Sequence, residues 1–287
     1  SALETGFARV FRAINEQDFE TARSLLPDLQ RMTEQGQLLP DLDDVTQFGA
    51  LADIYFTIGE QDAALVMWQK AMAAVERTGT WSSKEAQYVR YNYASLLARL
   101  DLTDQALTIA QALWADQKAN GQHITAAGLD TGILIGQARL KRAEYIEAEQ
   151  IFRELTATAE RHDPKGDRLQ TAANGLANTL TDMGQFDDAL RYTRLASGLD
   201  TRFNDPNGEN GLYARLRLAL ALERAGEFDE AQAVGAPVLE RAQQILPPDH
   251  EITQWARRVL EKVARAQGRL LDANRYFFTN KVKQCLF

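Results

Sequence analysis

Gly184-Gln-Phe186-Asp-Asp-Ala189-Leu190 returns 42 residues later as Gly226-Glu-Phe228-Asp-Glu-Ala231-Gln232, and again as Gly268-Arg-Leu270-Leu-Asp-Ala273-Asn274. Stepping back along the chain finds Ala148 after Tyr145, Ala106 in Asp101-Leu-Thr-Asp-Gln-Ala, Ala64 in Gly59-Glu-Gln-Asp-Ala-Ala, and Ala22 after Phe19. These seven alanines are 42 residues apart, except for one spacing of 41 between Ala148 and Ala189. A fixed period of this length marks a repeat architecture, in which each unit buries its apolar face on the next.

Each marker has a physical reason. Gly, or Gln17, Asp101 or Ala143 in its place, sits where one helix stops and the chain turns, which calls for left-handed backbone angles. Two residues further on stand Phe19, Tyr145, Phe186, Phe228 and Leu270, large enough to wedge between two antiparallel helices. The alanine five places after the turn lets the second helix approach the first closely. Seven residues before the turn come the small side chains Val10, Ala52, Ala94, Gly136, Ala177 and Ala219, preceded mostly by large apolar ones such as Leu51, Ile135, Leu176 and Leu260. Small beside large, repeated, describes helices packed at short range.

The pattern resembles the tetratricopeptide repeat (TPR), a helical hairpin with a small residue in helix A and Gly-x-aromatic-x-x-Ala at the turn into helix B. The period of 42 residues and the connection Ile245-Leu-Pro-Pro-Asp-His250 are similar to the longer repeats of kinesin light chain and related bacterial proteins. HEAT and armadillo repeats share the length and lack this turn; propeller blades need short alternating strands. The resemblance implies an all-α, right-handed superhelical solenoid of about seven hairpins, with the A helices on the concave side. It spans 1–287 as a single solenoid, with repeat units near 3–35, 42–77, 84–119, 123–161, 168–203, 210–245 and 250–284. A helices are expected near 3–16, 42–58, 84–99, 123–141, 168–183, 210–225 and 250–267, and B helices near 19–35, 61–77, 103–119, 145–161, 186–203, 228–245 and 270–284, with Ser83 and Asp249 as N-caps. The short spacing is assigned to one residue fewer around Asp163 to Asp167.

Composition narrows the function. The 287 residues are 45% apolar and 25% charged, ordinary for a soluble globular protein. A net charge of -8 argues against a general nucleic-acid or anionic-membrane binder. The single cysteine, Cys285, forms no internal disulfide. No apolar run approaches the roughly 20 residues of a membrane span, and no signal peptide opens the chain, so a cytoplasmic location is expected. A first residue of Ser in place of Met points to a processed or excised chain, and 24 Arg against 8 Lys to a GC-rich bacterial source. Residues 1–60 carry a net charge of -7 and residues 250–287 one of +5, which would steer a partner of reverse asymmetry or let molecules associate head to tail.

Catalysis finds no support: His123, His162 and His250 fall at connections without a second metal ligand at suitable spacing, and no His-Glu-x-x-His, P-loop or Gly-x-Ser-x-Gly occurs. No catalytic residue, metal or cofactor is expected. The family's concave face lies 13, 10, 6 and 3 residues before the turn. In repeat five this gives Thr171, Asn174, Asn178 and Thr181, uncharged side chains able to donate to and accept from the backbone of an extended peptide; the alternative is a solvated face. Repeat two offers Asp53 and Phe56, and repeat three Tyr88 and Tyr91 as a pocket wall, with packing on the preceding repeat as the alternative for Tyr91. Repeat four offers Asp130, Ile133 and Gln137, repeat six Tyr213, Leu216, Leu220 and Glu223. Repeat seven sets Trp255 beside Arg258, Lys262 and Arg265, fit to receive a carboxylate.

The expected function is a non-enzymatic protein-interaction scaffold holding a peptide or partner segment in its groove. The alternatives are a sensor or regulatory module of a longer protein and a self-assembling scaffold. The last helix, with Tyr276, Phe277, Phe278, Val282, Leu286 and Phe287, leaves an apolar face for self-association or for a continuing chain.

Overall fold

The computed structural model describes residues 1–40, 42–164, 166–200 and 205–281, without the side chains of residue 200 and residues 277–281. Every regular element among the described residues is helical. Seven A helices, α1 (Ala2–Asn15), α3 (Asp44–Thr57), α5 (Lys84–Arg99), α7 (Ala126–Lys141), α9 (Asp167–Asp182), α11 (Glu209–Ala225) and α13 (Glu251–Ala266), alternate with seven B helices. The latter are α2 (Phe19–Glu34), α4 (Gln61–Thr78), α6 (Thr103–Ala119), α8 (Tyr145–His162), α10 (Phe186–Asp200), α12 (Phe228–Ile245) and α14 (Leu270–Lys281). The expected helices are all present with ends shifted by a few residues; the expected ends at 201–203 and 282–284 lie outside the described residues. So do Cys285, Val282, Leu286 and Phe287, and the side chains of Phe277 and Phe278, while Tyr276 packs half-buried on the core of its unit.

The helices form two compact units, Ser1–His123 with repeats one to three and Ile124–Phe287 with repeats four to seven. Three pairs of consecutive A helices touch, α3 with α5, α7 with α9 and α11 with α13, and no two B helices come as close, which makes the A helices the inner row.

All seven turns have the same construction. Gln17, Gly59, Asp101, Ala143, Gly184, Gly226 and Gly268 all have φ between 58° and 85°. The N–H of the next residue donates to a carbonyl five residues back, from Asp18 to Ala13 (2.8 Å), Glu60 to Tyr55 (2.9 Å), Leu102 to Leu97 (2.9 Å), Glu144 to Arg139 (3.0 Å), Gln185 to Leu180 (2.9 Å), Glu227 to Leu222 (2.9 Å) and Arg269 to Ala264 (2.8 Å). This is the Schellman closure, which satisfies the last carbonyls of helix A and redirects the chain into helix B. The seven registered alanines are at most 2% exposed, so each lies against its partner helix as its small size requires.

Two expectations are corrected. The large residue two after the turn opens helix B and is not a wedge throughout: Phe19, Phe186 and Leu270 are 39%, 39% and 59% exposed, because the first helical position overhangs the turn, whereas Tyr145 is half-buried and Phe228 packs half-buried on the core of its unit. Ser83 caps α5, but α13 is capped by His250, whose Nδ1 accepts from the Ile252 N–H (3.4 Å), since Pro247-Pro248-Asp249 forms the preceding turn. The connection after α8, residues 163–166, is the shortest of those from a B helix to the next A helix and accounts for the spacing of 41.

Phe152 of α8 is fully buried against two helix backbones. A Cβ added at Gly175 of α9 would stand 2.3 Å from Phe152 Cε1, and one at Gly136 of α7 would stand 2.7 Å from its Cζ. Replacing a mid-helix glycine by alanine ordinarily stabilises by up to about 1 kcal/mol. Gly175→Ala is expected to do the reverse and destabilise by roughly 1–3 kcal/mol, as overpacking does, in urea denaturation. Left-handed angles cost a non-glycine residue roughly 1–2 kcal/mol, partly offset by the roughly 0.5–1 kcal/mol that glycine adds to the freedom of the unfolded chain. Ala143→Gly should therefore stabilise by about 0.5–1 kcal/mol, and an unchanged denaturation midpoint would contradict the strain assigned to that turn.

Candidate functional site: cavities between consecutive A helices

In the first unit α3 and α5 diverge around a cavity of about 380 Å³. Val45, Gly49 and Val89 give it apolar walls, and Asp53, Lys84, Glu85 and Tyr88 give it polar ones. The two expected residues from successive repeats meet here: the Tyr88 hydroxyl donates to Asp53 Oδ2 at 2.7 Å. Gly49 leaves the space, because it holds a groove-facing register position without a side chain. Tyr88 is half exposed, its ring 6.1 Å from that of Trp68. Burial raises the Asp53 carboxyl above its usual range despite the hydrogen bond from Tyr88, and burial together with the Asp53 carboxylate pushes the Tyr88 hydroxyl up to about 12. Tyr91 is half-buried and lines none of the cavities described, and Phe56 lies under the Arg99 guanidinium, 4.9 Å from the ring centre.

In the second unit the stripe of repeat five is divided. Asn174 lines a cavity of about 210 Å³ with Gln170, Asn210, Tyr213 and Arg217. Asn178 accepts from Arg217 Nη2 at 2.9 Å, while the Thr171 hydroxyl donates to the Asp167 carbonyl of its own helix at 2.9 Å. Thr181 is half-buried beside the turn, where its carbonyl accepts from the Gly184 N–H. In repeat four Asp130 pairs with Arg168 at 2.9 Å, Ile133 is buried, and Gln137 is exposed outside the cavities described.

Repeats six and seven enclose a third cavity of about 220 Å³ from Leu220, Arg224, Trp255, Arg258, Val259 and Lys262. Trp255 is 40% exposed and offers a face for stacking. The three expected cations separate: Arg265 pairs with Glu261 on its own helix at 3.0 Å, Lys262 stands 3.9 Å from Glu223, and Arg258 meets no acid among the described residues. Leu216 is buried in the core, as a residue of the packed face. Among the histidines, His162 is exposed, His250 serves its cap, and His123 is half-buried with Nδ1 unpartnered. Among the described residues no three His, Cys, Asp or Glu side chains are grouped to hold a metal ion, and no helix is long and apolar enough to cross a membrane.

Reading the A-helix stripe missed Gln170, Asn210, Arg217 and Arg224. Arg217 lies nine residues before its turn, off the stripe, and only the separation of α9 from α11 opens it to a cavity.

The family model described as Tetratricopeptide repeat matches residues 169–196 and 212–252, covering the hairpins of repeats five and six and the start of α13. These two stretches carry the tetratricopeptide-repeat pattern, and the array of helical hairpins has the fold of such repeats. Among solved TPR-containing structures it is similar to a signal-transduction ATPase (STAND) protein with a tetratricopeptide-repeat sensor from Pyrococcus horikoshii, at 15% identity and a TM-score of 0.70 over 96% of this chain and 42% of that one. BtubC (BKLC) from P. vanneervenii matches at 16% identity and a TM-score of 0.61 over 88% of this chain and 96% of that one. The apo form of the quorum sensor NprR from B. thuringiensis matches at 13% identity and 0.63 over 97% and 87%. At such identities the likeness is one of fold. No curated protein matches the sequence significantly.

The phenol of Tyr88 is an internal probe of the first cavity. Both raised groups hold their protons longer in the folded state, so each contributes stability that is present below its unfolded pKa and is lost as pH rises through the folded one, for Tyr88 between about 10 and 12. Asp53→Asn keeps an acceptor and removes the charge, so in near-UV absorbance the Tyr88 titration should move down from about 12. A curve identical to the wild type's would show that the Asp53 carboxylate is not what Tyr88 feels.

Proposed function

We propose that the chain is a non-enzymatic scaffold that binds a peptide or extended partner segment along the inner row of A helices. One observation carries this: residues at the groove register of successive repeats, Asp53 with Tyr88, Asn174 with Tyr213, and Leu220 with Trp255, Arg258 and Lys262, line cavities. A row meant only for solvation has no need of such concavities, and repeat arrays use their inner surfaces to hold extended partners. Asn174 and the neighbouring amides supply donors and acceptors for a peptide backbone, and half-exposed Tyr88, Tyr213 and Trp255 supply faces for its side chains.

The similarity to a STAND sensor and to a quorum sensor supports a regulatory version of the same role, in which occupancy of the groove is the signal.

A displayed library of random dodecapeptides selected on the whole chain provides the test. Enriched peptides should bind the wild type and lose roughly tenfold or more in affinity for the Asn174→Ala, Asn178→Ala double variant, as expected when two hydrogen-bonding amides are removed. Equal affinity for the two proteins would sink the groove assignment.

A further inference from the structure

The cavity between α11 and α13 is furnished by residues that the repeat itself does not call for. Trp255 stands 13 residues before the turn glycine of its repeat, Arg258 ten before and Lys262 six before. No other repeat has a tryptophan at the first of these positions or a base at the second or third, so the packing of a hairpin requires none of them. The three share one face of α13, at steps of three and four residues, and Trp255 and Lys262 are about 10 Å apart along the helix axis. Leu220 and Val259 give the cavity an apolar wall, and Arg224 of α11 brings a third cation to it.

The charges around it are not balanced locally. Arg258 and Arg224 pair with no acid among the described residues, and Lys262 stands 3.9 Å from Glu223, beyond hydrogen-bonding distance. Arg224 belongs to the last turn of its helix, where a base offsets the negative helix end, as Arg99 and Arg139 do in α5 and α7. Arg258 and Lys262 lie further from the end of α13, where Arg265 already has that place, bound to Glu261 at 3.0 Å. Against the one carboxylate of Glu223, the three cations leave two positive charges uncompensated beside an open volume of about 220 Å³, roughly seven waters at about 30 Å³ each. Like charges gathered around a concavity repel one another and attract an anion of matching charge.

We propose that this cavity binds a small molecule that joins a planar aromatic ring to a phosphate group, as a nucleoside monophosphate does. The ring stacks on the half-exposed indole of Trp255, and the phosphate oxygens accept from Arg258, Lys262 and Arg224, the guanidinium groups donating in forks. A phosphate monoester carries close to two negative charges at neutral pH and so matches the two uncompensated cations, whereas a single carboxylate leaves one unmatched. The whole chain, at a net charge of -8, repels a long polyanion, which favours a small ligand over a nucleic-acid strand. This ligand is no part of a peptide, so the inference goes beyond the groove reading and stands or falls without it.

Calorimetric titration of the whole chain, at low salt in a phosphate-free buffer, tests the site with four probes. Adenosine monophosphate presents ring and phosphate, adenosine the ring alone, inorganic phosphate the anion alone, and indoleacetate a ring with a carboxylate. Adenosine monophosphate should bind saturably at millimolar concentration or below, and roughly tenfold or more tightly than each of the other three. In the Arg258→Gln, Lys262→Gln double variant its affinity should fall by roughly tenfold or more, toward that of adenosine, and Trp255→Leu should bring it down toward that of inorganic phosphate. All three side chains are exposed, so the thermal midpoint of the ligand-free variants should match the wild type's. Absence of saturation in the wild type, an affinity that neither variant changes, or equal binding of adenosine overturns the site. Indoleacetate bound as tightly as adenosine monophosphate overturns the phosphate assignment. Adenosine monophosphate bound by a chain that selects no peptides would uphold this site while the groove reading fails.

Discussion

A single backbone hydrogen bond, from the residue after each left-handed turn to the carbonyl five positions earlier, sets the geometry on which everything else depends. It ends helix A, fixes the direction in which helix B departs, and so decides which residue of B faces A at closest approach. That residue is alanine in all seven repeats, and its full burial shows why nothing larger is found there. Because the bond joins backbone atoms, the turn residue itself is free to vary at modest cost, as Gln17, Asp101 and Ala143 do at positive φ. Glycine is the unstrained choice at this position, and the alanine five residues later is the stricter requirement.

With geometry held by backbone and alanine, the groove-facing positions of the A helices are released from structural duty. Their chemistry accordingly differs from one repeat to the next: a carboxylate and a phenol between α3 and α5, amides and a guanidinium between α9 and α11, an indole with cations between α11 and α13. Between α7 and α9 the groove residue Asp130 is instead tied to Arg168, at 2.9 Å.

The fold was legible because its determinants are small residues recurring at a fixed spacing, and a period exposes them even where the turn glycine is replaced. Asp53 with Tyr88 and Asn174 with Tyr213 were legible for the same reason: the groove register is counted from the turn. Properties that depend on distance between helices were not. Arg217 lies off the register and meets the groove only where α9 and α11 separate. Thr193, Ala196 and Ser197, which line the cavity between α9 and α11, lie on helix B, away from the stripe that was read. The exposure of Phe19 and Phe186 followed from their place at the first turn of helix B, which a residue's hydrophobicity alone does not reveal.

Two groups in this chain break the rule that desolvated charge is neutralised by opposite charge. Asp53 is offered only the hydroxyl of Tyr88, and Arg217 only the amide of Asn178, among the described residues. Each exception belongs to a different unit, carries the opposite sign, and lies beside open volume, not within a packed core. A helical hairpin stabilised by its turn and its alanine has no structural use for either. Charged groups held partly out of water beside an empty space lower the stability of the free protein and raise the affinity for whatever brings the missing charge, so the cost is borne by the unoccupied state. In Asp53 the complement is a cation, in Arg217 an anion. On the function proposed above, the inner row of A helices discriminates among partners by the charge they bring.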